Sequence, residues 1–145
     1  MEIREATSND VNDLARLMCE LGYPTTFEQM KVRFNDIVST PHHYTLLACI
    51  DGKVVAMIGF HTGHLYNMDG MYARIVAFVV DSSYRNLGIG TLLLRKVEEF
   101  TKKLGVDGIV LNSGNRAERE IAHKFYESHG YLVKSTGFVK TLNEL

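Results

Sequence analysis

The stretch Tyr84-Arg85-Asn86-Leu87-Gly88-Ile89-Gly90-Thr91-Leu92-Leu93-Leu94 decides how the chain is read. Before it runs Ala73-Arg74-Ile75-Val76-Ala77-Phe78-Val79-Val80, apolar except for Arg74, which reads as a buried strand. After it, Ile89, Leu92, Leu93, Val97, Phe100 and Leu104 recur at helical spacing, with Arg95, Lys96, Glu98, Glu99, Lys102 and Lys103 on the other face. Strand, glycine-containing turn and amphipathic helix follow one another, so the turn presents helix N-terminal N–H groups to whatever lies in front. Such a place attracts anions, because the aligned peptide dipoles put about half a positive charge there. Gly88 and Gly90 let a phosphate approach the main chain, and Arg85 adds a charge-assisted contact. From the glycines alone an alternative stands level with this one: they turn the chain and pack the helix on its strand.

The composition fits one folded domain over residues 1–145, with 46% hydrophobic residues. A net charge of −1 offers no basic field to nucleic acid or to an anionic membrane. No apolar run is long enough to span a bilayer, and Glu2, Arg4 and Glu5 make the start unlike a secretory signal, so a cytoplasmic protein is expected. Cys19 and Cys49 form neither a disulfide framework nor a metal cluster and read as two buried thiols. His42, His43, His123 and His129 lack metal-ligand spacing, and no metal site is expected.

Outward from the turn, the pattern predicts a first strand at residues 3–6 and a helix striped by Val11, Leu14, Leu17, Met18 and Leu21. Thr25 to Glu28 has capping-box spacing and opens a second helix to about Val38. Residues 44–50 and 53–60 pair as a hairpin around Asp51-Gly52, which supplies the positive φ angles of a type I′ turn. A loop is expected from Thr62 to Gly70. Beyond the long helix come a strand at 109–112, a polar turn at 113–115, a helix through Phe125 and Tyr126 ending at Gly130, and strands at 131–133 and 138–140. Together these describe a mixed α/β sheet flanked by helices.

The turn lacks the third glycine and downstream acid of a dinucleotide site, and the Gly-Lys-Ser/Thr end of a nucleoside-triphosphate loop. Val79-Val80-Asp81-Ser82-Ser83-Tyr84-Arg85-Asn86-Leu87-Gly88-Ile89-Gly90 instead resembles the acetyl-CoA signature of the GCN5-related N-acetyltransferase (GNAT) family. A second signature of that family resembles Ala122-His123-Lys124-Phe125-Tyr126-Glu127-Ser128-His129-Gly130-Tyr131, and the order of elements matches over essentially the whole chain. Residues 17–21, 55–61 and 138–142 resemble the aminoalkylphosphonate N-acetyltransferase-like members.

The resemblance implies a GNAT-like fold, a central, mostly antiparallel sheet with one splayed strand pair. It implies acetyl-CoA as co-substrate and a small-molecule primary amine as acceptor. Arg85, Asn86, Leu87, Gly88, Ile89, Gly90 and Thr91 would cradle the pyrophosphate, while Phe78, Val79 and Val80 would bind the pantetheine arm. An N–H near Phe78 or Val79 would polarise the thioester carbonyl. Tyr126 would return a proton to the departing thiolate, and Asn115 resembles an Asn that relatives place near the arm or the acceptor. Relatives often dimerise through their C-terminal strands, which allows a homodimer.

One departure stands out. Residues 71–80 carry no carboxylate, where many relatives place a Glu as base, which leaves His61, His64, water or no base at all. Three other readings stay open: an aminoglycoside acetyltransferase, a protein acetyltransferase, and a non-catalytic acyl-CoA-binding module.

Overall fold

The hairpin turn forms as its two residues dictate: Asp51 takes φ 50° and Gly52 φ 78°, joining the strand His43–Ile50 to the strand Lys53–His64. The structure, a computed structural model, describes residues 1–113 and 119–144. With β1 Glu2–Glu5, these two strands become β2 and β3, followed by β4 Met71–Val80 and β5 Val106–Leu111. The sheet order is β1-β2-β3-β4-β5, antiparallel except for the parallel pair β4–β5. The helices are α1 Val11–Leu21, α2 Phe27–Ser39, α3 Ile89–Lys103 and α4 Glu120–Ser128. The chain forms two compact units, residues 1–111 and 112–145.

In the first unit, alternation along each strand sends side chains to two helical layers. Leu47, Cys49, Met57 and Val79 meet Val11, Leu14, Leu17, Met30 and Phe34 of α1 and α2 on one face. On the other, Phe100 of α3 packs edge-on against Phe60 (ring centroids 5.8 Å apart) and Tyr44 (4.9 Å). Leu14, Leu17, Leu47, Leu93 and Leu94 are fully buried, each contributing about 1.5–3 kcal/mol in transfer free energy.

Two capping boxes fix the helix entries on the first face. Thr7 and Asp10 form one before α1, and Asp10 also takes a two-pronged contact of 2.8 and 2.9 Å from Arg4, which ties β1 to α1. The other lies one residue later than its spacing suggested: Thr26, in extended conformation, accepts from the N–H of Gln29 and donates its own N–H to the Gln29 side chain, each at 3.1 Å.

Several sequence expectations need correction. The expected loop at 62–70 is shorter, spanning residues 65–70: β3 runs on to His64, paired with Met71, because Gly63 leaves room for the ring of Tyr72 across the ladder. A Cβ at Gly63 would sit 2.9 Å from the Tyr72 hydroxyl. Leu94, outside the expected α3 stripe, is fully buried, whereas Leu92 and Leu104 are exposed. In a run of three leucines the period is ambiguous, and packing against the sheet selects Leu93, Leu94, Val97 and Thr101. Cys19 is exposed and only Cys49 is buried, since Cys19 lies about 200° around α1 from the buried Leu17.

In the second unit, α4 ends before Gly130, which takes φ 87°. The strands expected at 131–133 and 138–140 are not formed: residues 131–141 carry no regular secondary structure. A strand exists only through its ladder, and among the described residues no ladder includes these short apolar runs; Leu132, Val133, Phe138 and Val139 are exposed.

Candidate active site

The site begins where β4 leaves its neighbour. The β4–β5 register runs from Met71↔Val106 to Ile75↔Leu111 and stops, while β4 continues to Val80 against β3. At the same point β4 bulges: Gly59 faces Ala77 and Phe60 faces Ile75, leaving Val76 as the extra residue. A bulge bends its strand and sharpens the twist, and β5 ends at Leu111, so Phe78, Val79 and Val80 lie on the part of β4 beyond the last β4–β5 pair.

Beyond Val80 the chain makes a short 3-10 turn at Ser82–Tyr84 and enters α3 through residues 85–88. Asn86 (φ 63°) and Gly88 (φ 82°) both take left-handed conformations. Unlike the start of α2, which Thr26 caps and where Glu28 lies in the first turn, the start of α3 has no side-chain cap and no acidic residue in its first turn. A Cβ at Gly88 would meet no atom within 4 Å, so the approach to the first-turn N–H groups is open. That geometry suits a phosphate. Arg85 and Leu87 are exposed, and the Arg85 Nε donates to the Val80 carbonyl (3.2 Å), tying the turn to the end of β4.

What holds the turn in place was not legible in the sequence. Asp81 is buried; it accepts from the Ser83 N–H (2.9 Å) and from Arg16 Nη1 on α1 (2.6 Å), and Arg16 also donates to the Val54 carbonyl. The Ser83 N–H and the Arg16 guanidinium hold the Asp81 carboxyl below its ordinary range. One helical turn on, Glu20 accepts from the Ser82 N–H (2.8 Å) and hydroxyl (3.1 Å). Arg16 and Glu20 look like ordinary exposed charges on α1, and no local signal announces partners more than 60 positions away.

The candidate bases separate. On β3, His61 stacks on His43 (5.0 Å between centroids), lies edge-on to Tyr72, and pairs in register with Arg74. Partial burial, then the neighbouring His43 and Arg74, hold its pKa below the usual 6.5, so it is a neutral proton acceptor at neutral pH. His64 is exposed at the far end of β3, opposite Met71, about 16 Å along β4 from Val76.

A cavity of about 210 Å³ lies between α1, α2 and the sheet. Its floor includes Met57, Gly59, Val76 and Ala77, its helical wall includes Met18, Met30 and Phe34, and the polar residues at it are Arg33, His43, Tyr44 and Thr45; among the described residues no carboxylate lines it.

In the second unit, the half-buried Tyr126 sits on α4 with its ring edge-on to Phe125 (5.6 Å) and Tyr131 (6.0 Å). Burial raises its pKa above 10, so it keeps its proton at neutral pH. Asn115 lies outside the described residues. Among the described residues no group of three His, Cys, Asp or Glu is placed to hold a metal ion, and no helix is long and apolar enough to cross a membrane.

Comparison with known proteins agrees with this geometry. The family model for the acetyltransferase (GNAT) family matches residues 9–131. The aminoalkylphosphonate N-acetyltransferase of Salmonella typhimurium is 30% identical over 143 residues, covering 97% of this chain and 91% of the relative. A GNAT family acetyltransferase from Staphylococcus aureus superposes with a TM-score of 0.84 at 33% identity, over 97% of this chain and 98% of that one. A putative acetyltransferase from Agrobacterium tumefaciens, at 23% identity, shares the fold with a TM-score of 0.86, covering 97% and 99% of the two chains. A β4 that runs on past its last β5 pair, an uncapped helix start behind it and a match over most of the sequence lead to one conclusion: the chain belongs to the GNAT family of acetyltransferases and is an N-acetyltransferase.

Proposed function

We propose that this protein moves the acetyl group of acetyl-CoA to the primary amine of a small molecule by direct attack on the thioester. The observation that carries the reading is the departure of β4 from β5 at Ile75, directly ahead of the uncapped start of α3. Main chain on the diverging part of β4, from Val76 to Val80, would take the pantetheine arm. The turn from Arg85 through Asn86, Leu87, Gly88, Ile89 and Gly90 to Thr91 would take the pyrophosphate. The family match runs across both units, which supports reading residues 1–145 as one N-acetyltransferase domain.

In the reaction the neutral amine nitrogen forms a bond to the carbonyl carbon and the carbon–sulfur bond breaks. The amine gives up a proton, and the thiolate gains one. Tyr126, protonated at neutral pH, is the donor to sulfur, a role supported by its place in the second signature. His61 takes the amine proton, directly or through water; it is neutral and lies two residues from the bulge, whereas His64 does not. A cytoplasmic setting suits the co-substrate and keeps Cys19 and Cys49 as free thiols.

A cavity with no carboxylate among its described lining residues gives a polycationic aminoglycoside or a lysine-rich peptide no counter-charge there. The test is thiol release from acetyl-CoA across a panel of primary amines. Release with small amines is the expected result. A protein that binds acetyl-CoA yet releases thiol with none of them would be an acyl-CoA-binding module.

A further inference from the structure

The cavity under α2 restricts what the acceptor amine can be. We infer that its body is apolar, of short-alkyl or single-ring size, and lies in this cavity with Gly59 setting the available length; this rests on the acetyltransferase reading.

Three observations support the inference. The cavity adjoins the divergence, because Val76 and Ala77 on its floor are the first β4 residues past the Ile75↔Leu111 pair. An acceptor seated there has its nitrogen beside the diverging strand.

The lining chemistry is the second. Side chains of Met18, Met30, Phe34, Met57 and Val76 surround the space, and Arg33 and His43 add no negative charge. A protonated amine gains nothing inside, so the hydrocarbon end enters and the nitrogen stays toward β4. The volume suffices: an engineered apolar cavity of about 150 Å³ takes up benzene, and this one is about 210 Å³.

Third, Gly59 keeps the floor low without any conformational need for glycine. A Cβ there would lie 3.9 Å from both Ala77 Cβ and Val76 Cγ2 and 4.0 Å from the Tyr44 carbonyl, ordinary contacts that the fold tolerates. Any longer side chain would extend into the space the acceptor needs.

The experiment uses ethylamine, butylamine, hexylamine and 2-phenylethylamine, with amines of equal length ending in carboxylate or phosphonate. Amine binding by calorimetry without acetyl-CoA is read separately from kcat/KM by thiol release. Expected in the parent is tighter binding and higher kcat/KM with growing apolar length, about fourfold per methylene until the cavity is full, as for burying one CH2 group. Anionic amines of equal length should be poorer. Gly59→Leu should abolish the gain with chain length, so that within this variant hexylamine and 2-phenylethylamine fall to the level of ethylamine. Gly59→Ala, which adds only the tolerated Cβ, should shorten the best chain by about one methylene and serves if the Leu variant does not fold. A flat response to chain length, or a preference for the anionic amines, would overturn the inference. Size-dependent amine binding with no thiol release would leave the cavity assignment standing and refute acetyl transfer instead.

Discussion

Replacing Asp81 by Asn tests how the turn ahead of α3, the proposed pyrophosphate site, is held. Asn keeps an acceptor oxygen for the Ser83 N–H and removes only the charge that faces Arg16 across 2.6 Å. Breaking one side of a fully buried ion pair costs about 3–5 kcal/mol, and an exposed pair contributes about 0–1 kcal/mol. The Asp81 side chain is 6% exposed and that of Arg16 36%, so solvent screens one end, and a loss of about 1.5 kcal/mol is expected. For a chain of 145 residues this lowers Tm by about 5 °C. A double-mutant cycle of Asp81→Asn with Arg16→Met, read by urea unfolding, should return a coupling near 1 kcal/mol. Acetyl-CoA affinity should weaken severalfold in the Asn variant, because the same contact anchors the turn leading to Gly88. The sign with pH follows from the depressed carboxyl. Its contribution is complete above the ordinary value of 3.8 and is lost as pH falls through the lower folded value, so the Tm gap stays constant from neutral pH to about pH 4 and closes in stronger acid. Additive single effects together with unchanged acetyl-CoA affinity would refute the reasoning.

Other outcomes can be checked on the same protein. Gly90→Val should leave far-UV circular dichroism intact and abolish acetyl-CoA binding by calorimetry, since the added bulk stands at the start of α3. Tyr126→Phe should lower kcat by about 10²-fold, the low end for general acid catalysis, with the acetyl-CoA Kd nearly unchanged because one neutral hydrogen bond contributes about 1 kcal/mol. His61→Gln should remove a pH–rate limb lying below 6.5, where protonation silences the base, and His64→Gln should leave the profile unaltered. If rate in both His variants simply tracks the free-amine fraction, no side-chain base operates.

Much of the fold was written locally. Asp51-Gly52 specifies its turn through backbone dihedrals, and the α1 stripe specifies its buried face through spacing alone. The run from Val79 to Gly90 was readable because a strand, a left-handed Gly88 and an apolar helix sit side by side in sequence. The rest depends on partners far apart along the chain. Whether β3 stops at Phe60 or His64 turns on Tyr72 lying over Gly63. The Val76 bulge is invisible in an unbroken apolar run and emerges only against Gly59. Arg16 and Asp81 stand 65 positions apart, and the apolar runs after Gly130 read as strands from composition when pairing decides the matter.

If the cavity under α2 holds the acceptor as proposed, its methionine lining bears on how the enzyme ages. Met30 and Met57 are buried and Met18 is only partly buried at the cavity, so an oxidant reaching the opening meets the Met18 thioether first. Adding one oxygen makes a sulfoxide, turning a pliable apolar wall into a polar, chiral one. Acetyl-CoA would still bind at the start of α3, and the loss would fall on apolar acceptors alone. Protein kept in air would thus drift in acceptor preference before it lost activity, and a methionine sulfoxide reductase would restore it, a form of wear that leucine walls would not show.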